Sequence, residues 1–211
     1  MKTFRAKIIL CSLLSFILLG CDGDDIDRIE NIPMENIANE NFKRYLLENF
    51  DTDKDGLISL TEAEAVTEMN CPGFSGLYSL DGIQYFTNLK VFKFSNGTSD
   101  VRDLDLSKNT KLEELYCSNS HITSLNLSKN IALRILDCSN NKLTTLVLPE
   151  SLEVLNCSDN DLTSLDITKC VMLKSLNCSD MKITSLDLTK CTMLNSLNSF
   201  DCNITALDLV D

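Results

Sequence analysis

"LRILDCSNNKL", Leu133 to Leu143, has apolar residues at its first, fourth, sixth and eleventh places and Asn at its ninth. The string recurs. "LEELYCSNSHI" begins at Leu112, "LEVLNCSDNDL" at Leu152, "LKSLNCSDMKI" at Leu173 and "LNSLNSFDCNI" at Leu194, in steps of 21, 19, 21 and 21 residues. "LKVFKFSNG" from Leu89 is a degenerate earlier copy, one step of 23 away. A second string alternates with the first: "VRDLDLSKN", "ITSLNLSKN", "LTTLVLPE", "LTSLDITKC", "ITSLDLTKC" and "ITALDLVD", with "LYSLDGIQYF" from Leu77 as its irregular first copy. Such a fixed period implies stacked coils, each touching only its neighbours. The Leu-x-Leu and Leu-x-Cys places read as short parallel strands with side chains turned into the stack. No coil buries its own leucines, so the core becomes continuous only across several coils.

Departures from the pattern are informative. Asn141 and Asn160, at the ninth place, are expected to bond backbone groups where the chain turns. Ser120, Met181 and Cys202 hold that place in the other coils, and Met181 is expected to weaken its turn. The coil around Leu152 is two residues short, with "LPES" where an earlier coil has "LSKNTK". A local irregularity on the convex side follows, and Pro149 fits there because an irregular turn needs no ladder donor. Cys117, Cys138, Cys157 and Cys178 form one inward column, with strands about 4.8 Å apart. In-register parallel strands point their Cβ atoms the same way, whereas a disulfide needs crossed geometry. Buried thiols acting as small hydrophobes are therefore expected. Cys170 and Cys191 replace Asn109 and Asn130 of earlier coils and read as structural.

The strings resemble the leucine-rich-repeat family over about two thirds of the chain, and more narrowly the surface leucine-rich-repeat proteins of the Bacteroides group. The resemblance implies recognition of a protein or glycan partner on the concave sheet. Its outward places form three columns: Glu114, Ile135, Val154, Ser175, Ser196; then Tyr116, Asp137, Asn156, Asn177, Asn198; then Ser118, Ser139, Ser158, Ser179, Phe200. Binding energy concentrates on aromatic and Arg anchors, so Tyr116 and Phe200 are the candidate contact residues on a plain polar face. A structural envelope scaffold without a specific partner is the alternative reading.

Ahead of the repeats lies "DTDKDGLISLTE", Asp51 to Glu62. Asp51, Asp53 and Asp55 stand at places 1, 3 and 5, Gly56 at 6, Leu57 at 7 for its carbonyl, Ile58 at 8, Ser59 at 9 and Glu62 at 12. The order matches the EF-hand calcium loop, in which hard oxygens converge on one ion. Phe42, Tyr45, Leu46 and Phe50 mark one face of an entering helix. A second helical stretch is expected through Ala63, Ala65, Val66 and Met69, stopped by Pro72 and Gly73. Only one such loop is present, and dockerin modules, which it also resembles, carry two. A sensor role is therefore not expected. The two helices are expected to cap the exposed apolar end of the stack, with calcium as the cofactor that rigidifies them.

Lys2, Arg5 and Lys7 precede an apolar run, Ile8 to Leu19, too short to span a bilayer. "LLGC", Leu18 to Cys21, resembles the lipobox of bacterial lipoproteins, which implies cleavage before Cys21 and lipidation of its thiol. The lipid would anchor the chain to the outer membrane. Asp22, Asp24 and Asp25 then resemble the surface-export signal of the Bacteroides group. In enteric bacteria a similar Asp is associated with inner-membrane retention, and a solvated linker is the third reading. Losing residues 1–20 removes three positive charges and moves the formal charge from −12 to −15. That balance argues against nucleic acid and suits cation binding. The single His, His121, leaves no His-based triad or zinc site elsewhere, and no phosphate-binding loop is present, so an enzyme is not expected. The expected organisation is a signal peptide over 1–20, an acidic linker over 21–35, the helix-loop-helix over 36–73 and the solenoid over 74–211, an α+β chain.

Overall fold

A computed structural model describes residues 31–71, 76–94 and 100–209. The signal peptide, Cys21, and the helix stop at Pro72 and Gly73 lie outside these residues. Among the described residues no helix is long and apolar enough to cross a membrane.

The repeat strings become strands of three residues. Glu68–Asn70 (β1), Val91–Lys93 (β2), Glu114–Tyr116 (β3), Ile135–Asp137 (β5), Val154–Asn156 (β7), Ser175–Asn177 (β8) and Ser196–Asn198 (β10) form one seven-stranded sheet in that order. Every neighbouring pair is parallel. The register stacks Met69, Phe92, Leu115, Leu136, Leu155, Leu176 and Leu197 in one column. On the opposite side of the coils, Ser124–Asn126 (β4) pairs with Thr145–Val147 (β6), and Ser185–Asp187 (β9) pairs with Ala206–Asp208 (β11). The coil Leu162–Cys170 between these two pairs has no strand, although its sequence fits the pattern. It follows the short connection through Pro149, which lacks a ladder donor. The shortened coil opens a notch of about 620 Å³ on the convex side, lined in part by Ile131, Val147, Pro149, Glu150 and Val171.

The ninth-place Asn residues tie the turns together. Asn141 Oδ1 accepts from the N–H groups of Ser120 (3.1 Å) and Ile122 (3.0 Å). Its Nδ2 donates to the carbonyls of Cys117, Cys138 and Ser139. Asn160 repeats the arrangement one coil on, accepting from Leu143 N–H and donating to Cys138, Cys157 and Ser158. Met181, with no polar group to offer, fills the same place as a buried apolar side chain. One place earlier, Asn119, Asn140, Asp159, Asp180 and Asp201 all adopt left-handed backbone, φ 52–56°, a conformation Asn and Asp tolerate best after Gly.

A second column, on the convex side, holds Asn109 and Asn130. Each donates Nδ2 to two carbonyls, Asn109 to Ile83 and Phe86, Asn130 to Leu106 and Asn109. Both Oδ1 atoms are buried without a hydrogen-bond partner. Cys170 and Cys191 keep the donor bond, to Pro149 and to Ile167 and Cys170, and remove the orphaned acceptor.

All eight cysteines among the described residues are free thiols, and seven are buried. Burial pushes Cys117, Cys138 and Cys157 well up and Cys178 to about 12. Only the thiolate is nucleophilic. Native protein should therefore resist alkylation at Cys117, Cys138 and Cys157, with Cys178 reacting only slowly through local opening, and denatured protein should react fully at all four; quantitative labelling by mass spectrometry checks this.

The second place of the strings carries Lys90, Glu113, Arg134, Glu153, Lys174 and Asn195. Lys90 Nζ lies 2.9 Å from Glu113, and Lys174 Nζ 2.7 Å from Glu153. Arg134 lies between and acts on both carboxylates, after the dominant lysine bond in each case. The sign alternates coil by coil. Each exposed pair is worth only about 0.2–1 kcal/mol.

Among the described residues two short α-helices precede the sheet, so strands dominate there and the α+β expectation overstates the helical part. Glu40–Phe50 (α1) starts at Asn39, whose Oδ1 accepts from Phe42 N–H at 2.9 Å. It buries Phe42, Tyr45 and Leu46. Leu60–Ala65 (α2) starts with a reciprocal Ser59–Glu62 capping box. The expected continuation of α2 through Val66 and Met69 is not formed. The chain extends at Val66, and Met69 lies in β1, because pairing with β2 satisfies this backbone. Residues 31–37, partly within the expected acidic linker, are packed rather than solvated: Ile32, Met34 and Ile37 are buried.

Candidate functional site

The loop between α1 and α2 begins where Asp51 leaves the helix. Asp51 accepts from the N–H groups of Asp55 (3.2 Å) and Gly56 (2.9 Å). Asp53 accepts from Asp55 N–H at 3.2 Å, and Asp55 from Leu57 N–H at 2.8 Å. These bonds curl the backbone around the carboxylates. The curl requires left-handed backbone at Lys54 (φ 60°) and Gly56 (φ 86°), and Gly is the residue for the second. One carboxylate oxygen from each of Asp51, Asp53 and Asp55 lies within 4.8 Å of the others.

The remaining expected ligands are placed differently. Leu57 lies on the loop rim with a partly exposed side chain. Ser59 serves as the cap of α2, and Glu62 is held by four bonds. Glu62 Oε1 accepts from the backbone and hydroxyl of Thr52 (2.6 and 2.7 Å), and Oε2 from the backbone and hydroxyl of Ser59 (both 2.9 Å). The Thr52 hydroxyl bond, foremost, holds its carboxyl down to about 2 from 4.5. This contribution is fully present above pH 4.5 and is lost as the pH falls from there toward 2. Glu62 thus clamps both ends of the loop and is not grouped with the three Asp side chains. The donor set is nonetheless all hard oxygen, and three like charges this close repel each other. That chemistry fits calcium.

Ile58, at place 8, is fully buried and paired. Its carbonyl accepts from Ile32 N–H at 2.7 Å, and Asn31 bridges Ser59 in antiparallel fashion. The sequence pattern does not reveal this partner. The signal lies in Ile32 and Met34, two apolar residues within the expected linker, with Ile37 just beyond it.

The helices and the first coil share one continuous apolar core. Phe50 stacks at a tilt on Phe86, with ring centroids 5.7 Å apart. Tyr45 Oη donates to Asn70 O, Asn39 Nδ2 to Gly76 O and Asn88 Nδ2 to Glu64 O. A Cβ at Gly82 would stand 3.0 Å from Ile37, and its φ of 108° already requires Gly.

On the concave sheet, Tyr116 is engaged rather than free. Its hydroxyl donates to Glu114 at 3.0 Å, and Lys93 Nζ lies 5.4 Å from its ring centroid while pairing with Glu68. Phe200 is 74% exposed. Tyr116 and Phe200 are four strand steps apart, about 19 Å, so they do not form one site. The third expected outward column is corrected in part. Ser118 and Ser179 are buried, because the seventh place already turns the corner behind the strand. The second column ends in carboxamides: Asn156 and Asn177 accept from Ser158 and Ser179 N–H. His121 is exposed and lies 3.8 Å from Asp100.

No family model matches the chain. No curated protein matches it. Solved structures do. The functional domain of InlJ from Listeria monocytogenes, which includes a cysteine ladder, aligns with a TM-score of 0.61 and 29% identity over 79% of this chain. YopM from Yersinia enterocolitica WA-314 aligns with a TM-score of 0.51 and 22% identity over 69% of this chain. The chain spans 42% of the first and 31% of the second. These structural neighbours are leucine-rich-repeat proteins, and the fold here is a leucine-rich-repeat solenoid with parallel strands.

Proposed function

We propose that this chain is a calcium-stabilised, lipid-anchored protein-interaction module of the bacterial envelope, exposed at the cell surface and without enzymatic activity. The observation that carries the interaction reading is the unbroken seven-stranded parallel sheet, whose alternate side chains face outward in columns. The fold of the structural neighbours supports the same reading. The polar surface of carboxamides and hydroxyls suits a hydrogen-bonding protein or glycan. A binding screen of the chain without its first 21 residues, against matrix proteins and glycans, tests this. A saturable partner lost on replacing Asn156, Asn177 and Phe200 supports recognition; a silent concave face supports the scaffold alternative.

The anchor is the lipid on Cys21. Cys21→Ser should move the protein from the membrane to the soluble fraction. Retention at the wild-type level would refute the anchor.

Asp51, Asp53, Asp55, the Leu57 carbonyl, Ser59 and Glu62 would hold calcium as an EF-hand loop, with α1 and α2 as the cap of the solenoid. The ion would supply charge neutralisation among the carboxylates. An unpaired loop places the dissociation constant at roughly 10⁻⁴ M, toward the weak extracellular end. With about 2 mM calcium, linkage then gives about 1.8 kcal/mol of stabilisation. Glu62→Gln should abolish most of that increment, and magnesium should replace calcium poorly. Calorimetry and denaturation with and without chelator measure both. Hydrogen exchange should show protection over residues 36–90 exceeding that of the distal coils. Absence of heat at millimolar calcium removes the site; binding without that protection keeps the site and removes its capping role.

A further inference from the structure

The row of inward thiols stops at Cys178. In the next coil the sixth place is Ser199, and a cysteine stands instead at the ninth place, Cys202. We propose that Cys178 and Cys202 form a dithiol pair that a small-molecule disulfide converts to an intramolecular disulfide, cross-linking the last described coil to the one before it.

The geometry separates this pair from every other. Cysteines sharing a place, such as Cys138 and Cys157 or Cys170 and Cys191, project in parallel from successive coils, which opposes bridging. Residues at the ninth place instead reach back toward the sixth place of the preceding coil. Asn160 Nδ2 meets Cys138 O at 3.0 Å, and Cys202 Sγ meets Cys178 O at 2.9 Å in the same manner. Burial, and then the neighbouring Cys202 thiol, hold the Cys178 thiol high. Cys202 is half-buried whereas Cys178 is fully buried, so the pair has an accessible member and a protected one. Strand β10 is exposed along its length. Local opening of so lightly packed an element is the route by which Cys178 is deprotonated.

The Cys202 thiolate attacks one sulfur of the small disulfide. A mixed disulfide forms, and the first small thiolate leaves. The Cys178 thiolate then attacks Cys202 Sγ, forming the Sγ–Sγ bond and expelling the second thiolate. The two cysteine protons pass to solvent and, at neutral pH, to the released thiolates. The protein loses two electrons, and the small disulfide gains them. Because both steps need thiolates, the rate should rise with pH.

The experiment exposes reduced, folded protein to oxidised glutathione, quenches with an alkylating agent and maps bridges by mass spectrometry. The expected major product links Cys178 to Cys202, with Cys170 and Cys191 alkylated only after denaturation. Cys202→Asn restores the ladder residue found at Asn141 and Asn160, so it should fold and should yield no bridge. Hydrogen exchange over residues 196–207 should slow on oxidation in the wild type and stay unchanged in that variant. A glutathione adduct persisting on Cys202, a bridge between same-place cysteines, or a bridge appearing only after denaturation would each overturn the proposal.

Discussion

Asn141→Ala should cost about 4 kcal/mol of unfolding free energy, since each buried polar group left without a partner costs ~1–3 kcal/mol. The Asn141 side chain is almost fully buried and makes five hydrogen bonds to backbone groups of two coils. Truncation orphans the Ser120 and Ile122 N–H groups and the Cys117 carbonyl. Urea denaturation measures the loss, and Asn203→Ala, at an exposed place of the last coil, should stay within about 0.5 kcal/mol of wild type. Equal small losses at both positions would mean that the ninth-place bonds are not what holds adjacent turns together.

Leu46→Ala should cost about 3 kcal/mol, the middle of the range for emptying a closed apolar site. Leu46 is fully buried on α1, and a Cβ at Gly82 would lie 3.9 Å from its Cδ1. The helix therefore packs directly on the first coil. Because the core is continuous from Ile32 to Cys191, unfolding should remain a single transition, displaced to lower denaturant. Two separated transitions would show that α1 and α2 fold independently of the coils.

The coils were legible because their residues carry their own coordinates. A Leu recurring every 19 to 21 residues, with Asn at the ninth place of two coils, defines strand, turn and inward face before any contact is known. Asn141 and Asn160 behave as that pattern requires. The loop was legible for the same reason, since Asp51, Asp53, Asp55 and Gly56 sit at places dictated by a tight turn. What escaped depends on contacts distant in sequence. "AEAVTEMN" has a helical spacing of apolar residues, yet Met69 joins a strand because β2 lies beside it. Ile32 reads as linker in the sequence, because its partner, the Ile58 carbonyl, lies far along the chain. Tyr116 looked like a free anchor, and only the positions of Lys93 and Glu114 show it held.

The alternating charges at the second place have a consequence for folding fidelity. Coils this alike in sequence invite misassembly, in which a coil docks on one two positions away and leaves its true neighbour looped out. Such an error would set Lys90 beside Arg134, Glu113 beside Glu153, or Arg134 beside Lys174. Correct stacking opposes unlike signs, and any skip of one coil opposes like signs. The column Lys90, Glu113, Arg134, Glu153, Lys174 therefore works as a parity check on the order of assembly. Its weight comes less from the modest attraction in the native stack than from the repulsion it assigns to each miscounted one.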